Sequence, residues 1–586
     1  MNSPSSEFST TDHSTLDAQR SSTRRRSSLF PIPYTPNPIP RVWSFIIHHS
    51  SFILSLVAIA LVGILAGLPS LPEPFGVDQG IYGYIGERIL DGAVDYRDVF
   101  DHKPPGIHMA YAGAFALFGH KMSSVRLLDL LAAIATAFGL YALGRQWAGG
   151  RMGLICGLLY LVFYEGAFDW MSRGQPEAWV NLMFVTGLAL LSLAKTRGGI
   201  FGAGVLLGAG FWFKPTVLPL AVIWLAILFY RARVGEYRGL KPFVWDLLAV
   251  GNGFLILFLY VLVEYLVKDA LGALYEAVVS FNVRYHTRLD RIHGWREVCE
   301  SFVFILRPLY GLALPALAAV AVTALPPWRR SVLLGFSWLM LAFTTVFWQG
   351  SFAKSHYVLV LPALTFLAAL ALDHGIAATN AFAGMLAGPK NPQAKGTIPK
   401  WIVVLAAIAT VACVAVLVLN INGLFSARWV KFSALVTKRI SLEEYYASFW
   451  LKGAPGRGGY SFQDLREMAA YLEGQTSPDQ PVYVWGFRPI VAWLAHRRMP
   501  TRFIFRYPLT RTNNPRWWNQ FLTDLDRSPP AFFVVVLDDR GLYHPEPSKK
   551  ALESNGALSL FLHNRYELDR TMTDFEIYRL RRSAPR

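Results

Sequence analysis

"IHMAYAGAFALFG", residues 107–119, decides how the rest of the chain is threaded. It is apolar apart from His108, but a helix rising about 1.5 Å per residue would carry it only about 20 Å, short of a hydrocarbon core about 30 Å thick. Read as a re-entrant or interfacial helix, it leaves its two flanks on the same side of a membrane. Read as a span, it would reverse every later turn.

The charges choose between these readings. Arg24, Arg25 and Arg26, the turns at Lys195 and Arg197, Arg231 to Lys241, Arg329 and Arg330, and Lys390 to Lys400 all fall on the cytoplasmic side only if residues 107–119 do not cross. The apolar runs 41–68, 125–145, 152–168, 178–194, 199–213, 216–230, 244–267, 302–324, 331–348, 357–373 and 401–421 then make eleven spans. At 53% hydrophobic and 16% charged residues, the chain is too apolar for a string of soluble domains, so the expected fold class is an α-helical polytopic membrane protein. The net charge of +17 follows from this topology and calls for no nucleic-acid partner. Cys156, Cys299 and Cys413 are spaced as neither a metal knuckle nor a redox pair.

Three regions follow. Residues 1–42, rich in Ser and Pro with a basic cluster, are expected to be a disordered cytoplasmic tail. Residues 43–421 form the membrane domain, with a first external loop over 70–124. Residues 422–586, with short β-rich runs such as "PVYVWG" and "AFFVVVLD" among helical stretches, read as a small α/β domain outside the membrane. Trp485, Trp517 and Trp518 of that domain are candidates for stacking on sugar rings, with core packing as the alternative.

Chemistry concentrates on the outer face. In "VDQGIYGYIGERIL", residues 77–90, Asp78 stands at a helix start, where it either caps the helix or takes a proton from an acceptor. In "DHKPPG", residues 101–106, the prolines and glycine fix the backbone; Asp101, His102 and Lys103 either contact a polar ligand or leave Lys103 paired with Asp101 in solvent. Glu177 opens an apolar helix on the same face as Asp78, and two converging carboxylates suit acid/base work or a shared divalent cation. Lys214 in "GFWFKPTVLP", Arg284, Tyr285, His286 and Arg288 in "FNVRYHTRLDR", and Lys354, His356 and Tyr357 in "FAKSHY" provide a basic pocket for an anionic lipid head group, although Lys214 could also simply snorkel.

At these residues the chain resembles the GT-C superfamily of membrane glycosyltransferases, in particular the family 39 type related to protein O-mannosyltransferases and to the aminoarabinose transferase of lipid A. The resemblance covers about residues 43–421 and is strongest in "DQGIYGYIGERILDGAVDYRDVFDHKPPG", which is similar to the family's first external loop. It implies a polyprenyl-phosphate-linked sugar as donor, no certain cofactor beyond a possible divalent cation, and hexosyl or pentosyl transfer to a glycan, lipid or protein acceptor outside a bacterial cytoplasmic membrane. It also implies Asp78 as the base with Tyr82 beside it, Glu177 as the second acidic position, and "FKPT" and "KSHY" on the phosphate side. Gln79 departs from the family's paired acids, and Asn519 in "RWWNQF" excludes the Trp-Trp-Asp motif of oligosaccharyltransferases. A flippase or transporter of lipid-linked glycans, and a non-catalytic assembly subunit, are the competing readings.

Overall fold

A computed structural model describes residues 41–234, 239–287, 295–322, 329–350, 352–386, 400–451, 459–540 and 546–582. The basic tail expected over residues 1–42 lies outside them, apart from the two residues that begin the first helix. The membrane region consists of α1 (Arg41–Gly67), α2 (Val77–Leu90), α3 (Pro105–Phe118), α4 (Met122–Trp147), α5 (Gly150–Ala167), α6 (Pro176–Leu193), α7 (Arg197–Phe213), α8 (Val217–Val234) and α9 (Leu240–Val267). It continues through α10 (Leu271–Leu274), a π-helical turn over Tyr275–Phe281, α11 (Asn282–Thr287), α12 (Trp295–Val322), α13 (Arg329–Gln349), α14 (Leu361–Leu386) and α15 (Lys400–Val436).

Eight segments among the described residues are long and apolar enough to cross a membrane; they contain α1, α4, α6, α9, α12, α13, α14 and α15. The 18-residue helices α5 and α8 and the 17-residue α7 lie where the three remaining segments of the expected eleven fall. The stretch 107–119 is the 14-residue helix α3, opened by Pro104 and Pro105 and stopped at Gly119, whose φ of +86° no ordinary residue adopts easily.

α14 is the hub, with 83% of its apolar window buried, whereas α9 and α15 are only 11% buried and turn rows of Leu, Ile and Val outward, as lipid-facing helices do. α7 and α9 cross at small residues: a methyl group on Gly204 would overlap the Val250 carbonyl, and one on Gly253 would overlap that of Phe201.

Beyond the membrane, α15 runs straight into the C-terminal domain. That domain holds α16 (Leu442–Ala447), a two-stranded ribbon of β1 (Trp450–Leu451) and β2 (Tyr460–Ser461), and α17 (Phe462–Gln475). Then come β3 (Val482–Trp485), α18 (Ile490–Leu494), α19 (Tyr507–Thr512), α20 (Pro515–Arg527), β4 (Phe532–Val536), α21 (Ser548–Glu553), α22 (Gly556–Arg565), β5 (Tyr566–Met572) and β6 (Phe575–Leu580). The last four strands form one sheet in the order β3-β4-β6-β5, parallel between β3 and β4 and antiparallel elsewhere. Every residue of β3 and β4 is buried, which explains their unbroken apolar runs.

Trp485 and Trp517 are buried in this core and Trp518 packs its ring against Trp485 and Phe521, so sugar stacking gives way to core packing at these positions. The domain and the first external loop share one apolar core. Phe75 meets Trp493, Phe100 lies edge-on to Trp517, Tyr84 Oη accepts the Met499 N–H at 2.7 Å, and Phe100 N–H donates to the Arg502 carbonyl at 2.8 Å.

The α7–α9 crossing leaves no room for a side chain. Gly204→Leu or Gly253→Leu is expected to reduce stability by about 1–3 kcal/mol through overpacking, measured as a lowered thermal midpoint in detergent, whereas Gly251→Leu, which meets nothing within 4 Å, is expected to leave it unchanged.

Candidate active site

The first loop is built around three buried side chains. Gln79 is wholly buried; its Oε1 accepts the Gly76 N–H and its Nε2 donates to the carbonyls of Trp170, at 2.9 Å, and of Arg173. A carboxylate could accept but not donate, so the position next to Asp78 is an amide for structural reasons. Arg173 is buried against Glu165, at 2.7 Å, and Glu73, and Arg428 from α15 reaches the same Glu73 at 3.0 Å.

His108 has both ring nitrogens engaged, Nδ1 with Asp95 at 2.7 Å and Nε2 with Asp101 at 3.0 Å. Burial alone would depress this imidazole, but the two carboxylates outweigh it and push it up to about 9. Burial lifts Asp95, whereas His102 and His108 overcome burial to hold Asp101 well below the usual carboxylate range, so Asp101 is the acid that keeps its charge. Asp101 therefore braces the loop through His102 and His108 and does not pair with Lys103.

On this frame the candidate residues separate. Gly106 lets the "KPPG" backbone close on the end of α7: a Cβ there would stand 2.7 Å from the Trp212 carbonyl. This brings Lys103 and Lys214 into each other's field, and both into that of Asp78. Asp78 sits in the first turn of α2, exposed to solvent although protein surrounds it closely. Those surroundings raise its carboxyl above the ordinary value, with Lys103 opposing the shift and Asp101 adding to it. Tyr82, one turn on, is buried against Tyr111 and reaches Gln175 at 3.5 Å, and burial raises its hydroxyl well above the usual range.

Glu177 is buried and ion-paired with Lys214, with His356 Nε2 3.7 Å away. It is the counter-charge of this corner, and it leaves Asp78 as the accessible acid. With Glu177 engaged by a lysine, Asp78 and Glu177 do not fit a shared divalent cation.

Lys354 donates to Asp169 at 3.0 Å in the turn after α5, and Tyr357 is buried in the 3₁₀ turn Lys354–Val360. Arg284 is exposed on α11. The side chains of Tyr285 and His286 lie outside the described residues, as does Arg288. Sequence reasoning passed over Gln79 as a ligand of the backbone, and over Glu73, Arg126, Arg173 and Arg428. Their signal was a charge lying close to an apolar run without a partner nearby in sequence.

Residues 102–263 match the family model described as dolichyl-phosphate-mannose-protein mannosyltransferase. ArnT from Cupriavidus metallidurans bound to undecaprenyl phosphate shares the fold with a TM-score of 0.55 at 16% identity, over 91% of this chain and 98% of that one. Its apo state gives 0.53 at 14% identity over the same shares. The oligosaccharyltransferase of Archaeoglobus fulgidus in its apo form is a weaker likeness, with a TM-score of 0.44 at 12% identity over 83% of this chain and 69% of that one. No curated protein sequence matches the chain.

Two predictions follow from the buried pairs. Lys214→Met is expected to lose about 3–5 kcal/mol by stranding Glu177, and adding Glu177→Gln is expected to restore most of it, as read from thermal midpoints in detergent. Because His108 is raised from 6.5 to about 9, its contribution is complete below pH 6.5 and is lost as pH rises through 9. Native stability should fall by on the order of 2–3 kcal/mol between pH 7 and 10 in the wild type, and much less in His108→Gln, by thermal denaturation across that range. Residues 102–263 thus match the dolichyl-phosphate-mannose-protein mannosyltransferase family model, and the chain as a whole shares the fold of ArnT from Cupriavidus metallidurans, in line with the resemblance read from the sequence.

Proposed function

We propose that this protein is a glycosyltransferase that moves a sugar from a polyprenyl-phosphate carrier to an acceptor on the outer face of a bacterial cytoplasmic membrane. Two findings support a membrane transferase of GT-C type: the family match over residues 102–263 and the shared fold with ArnT, whose structure contains undecaprenyl phosphate. One observation carries the assignment of roles. Asp78 is the accessible acid of a cluster whose buried acids are engaged, Asp101 by His102 and His108 and Glu177 by Lys214.

In the proposed step the acceptor's O–H or N–H attacks the anomeric carbon, and its proton passes to Asp78. The bond from that carbon to the phosphate oxygen breaks, and the electron pair leaves with the lipid phosphate. Asp78 suits the base role because its raised carboxyl is better matched to a proton transfer near neutral pH than an ordinary aspartate. Lys103 and Lys214 suit the phosphate, since fixed cations stabilise charge that grows on the leaving group. Glu177 is a positioning residue that holds Lys214, and Asp101 is one that holds the loop.

The external placement of the loop and the C-terminal domain rests on the basic cytoplasmic turns. A transporter would line a path between both faces with charge, whereas this cluster gathers at one end of the helices.

Transfer of radiolabelled sugar from synthetic polyprenyl-phosphate donors to endogenous membrane acceptors tests the proposal. Asp78→Asn is expected to lower transfer by about 10²–10⁴-fold, the range for loss of a general base, without changing expression or thermal midpoint. Full activity in that variant would remove Asp78 from the role. Wild-type protein that binds each donor without transferring its sugar would favour the transporter or assembly readings.

A further inference from the structure

Glu87, His120 and His496 meet where the C-terminal domain sits on the first loop. Glu87 lies in the last turn of α2, His120 between α3 and α4, and His496 just after α18. One ligand atom from each lies within 4.8 Å of the other two, so three segments distant in sequence converge on one point.

His120 is the unsatisfied member. Nε2 of His120 is buried without a hydrogen bond and meets Glu87 only at 3.3 Å, while its ring is wedged between Phe115 and Trp493, 4.9 and 4.8 Å away. The neighbouring cations do not serve Glu87, because Arg88 and Arg498 both turn to Asp91, at 2.5 and 3.5 Å; Lys121 stands beside His120 on the cavity wall. His496 adopts a left-handed backbone, φ +51°, a conformation that non-glycine residues keep at turns and functional positions. A cavity of about 600 Å³ opens beside the two histidines and gives a route in from solvent.

We propose that Glu87, His120 and His496 bind one Zn²⁺, with water completing a tetrahedron. Two imidazoles and a carboxylate are a donor set that zinc takes at about 2.0–2.2 Å, a closure that small side-chain rotations achieve from the present spacing. The ion satisfies the orphaned nitrogen of His120. It also joins the C-terminal domain to the far end of α2, the helix whose first turn carries Asp78. The inference does not depend on the proposed reaction.

The test uses full-length protein in detergent, carrying no polyhistidine tag, loaded with Zn²⁺, passed over chelating resin and analysed for metal. Wild type is expected to retain about one zinc per chain, the stoichiometry of a single site. His496→Ala, whose side chain is exposed, is expected to retain at least ~10-fold less, as is Glu87→Gln. Zinc should raise the thermal midpoint of wild type but not of His496→Ala. Zinc-free wild type after the resin, or equal zinc in wild type and His496→Ala, would overturn the site. If Glu87→Gln fails to fold, His496→Ala decides alone.

Discussion

Everything above the bilayer depends on Arg173. A guanidinium taken out of water is tolerated only when its partners are brought to it, and here they come from the start of the first loop, Glu73, and the end of α5, Glu165. Arg428 then draws α15 onto the same carboxylate. The entry to the loop, the turn before α6 and the last membrane helix are thereby fixed together, and with them the positions from which Asp78 and Glu177 are presented.

A second constraint acts on the loop itself. Asp95, His108 and Asp101 form a buried hydrogen-bonded line, and Phe100, next to Asp101 in sequence, is pinned by Arg502 and Trp517. The C-terminal domain is thus the roof of the loop. Its four-stranded sheet need not touch the reacting groups to matter, because Ile490 lies so close to Gly80 that a Cβ there would stand 2.7 Å away. α2 is held between this roof and the membrane helices.

The sequence was most informative where one physical quantity dominates. Apolar length and basic turns pointed to eleven membrane segments, of which eight among the described residues are long and apolar enough to cross, and residues 107–118 belong to a separate short helix, α3. The Lys-Pro-Pro-Gly stretch announced a rigid, close approach, and Gly106 against Trp212 is that approach. What pairing requires was hidden. Asp101 and Lys103 are two residues apart, yet the partner of Asp101 is His108 and the field of Lys103 reaches Lys214, 111 positions on by the numbering. The tie between Arg428 and Glu73 crosses 355 positions, which no local pattern signals. Gln79, which reads as a lost acid, is a hub of backbone hydrogen bonds, a role visible only once Trp170 and Arg173 are in place.

α15 has a mechanical side. Its 37 residues make a rod about 55 Å long, well beyond a hydrocarbon core of about 30 Å. Arg428 grips it through Glu73 near its C-terminal end, and the C-terminal domain is mounted on its tip. A change in bilayer thickness, which lone helices absorb by leaning, can swing only the end of this rod away from the C-terminal domain. The lipid can therefore thin or thicken around the protein while the roof over the first loop stays level.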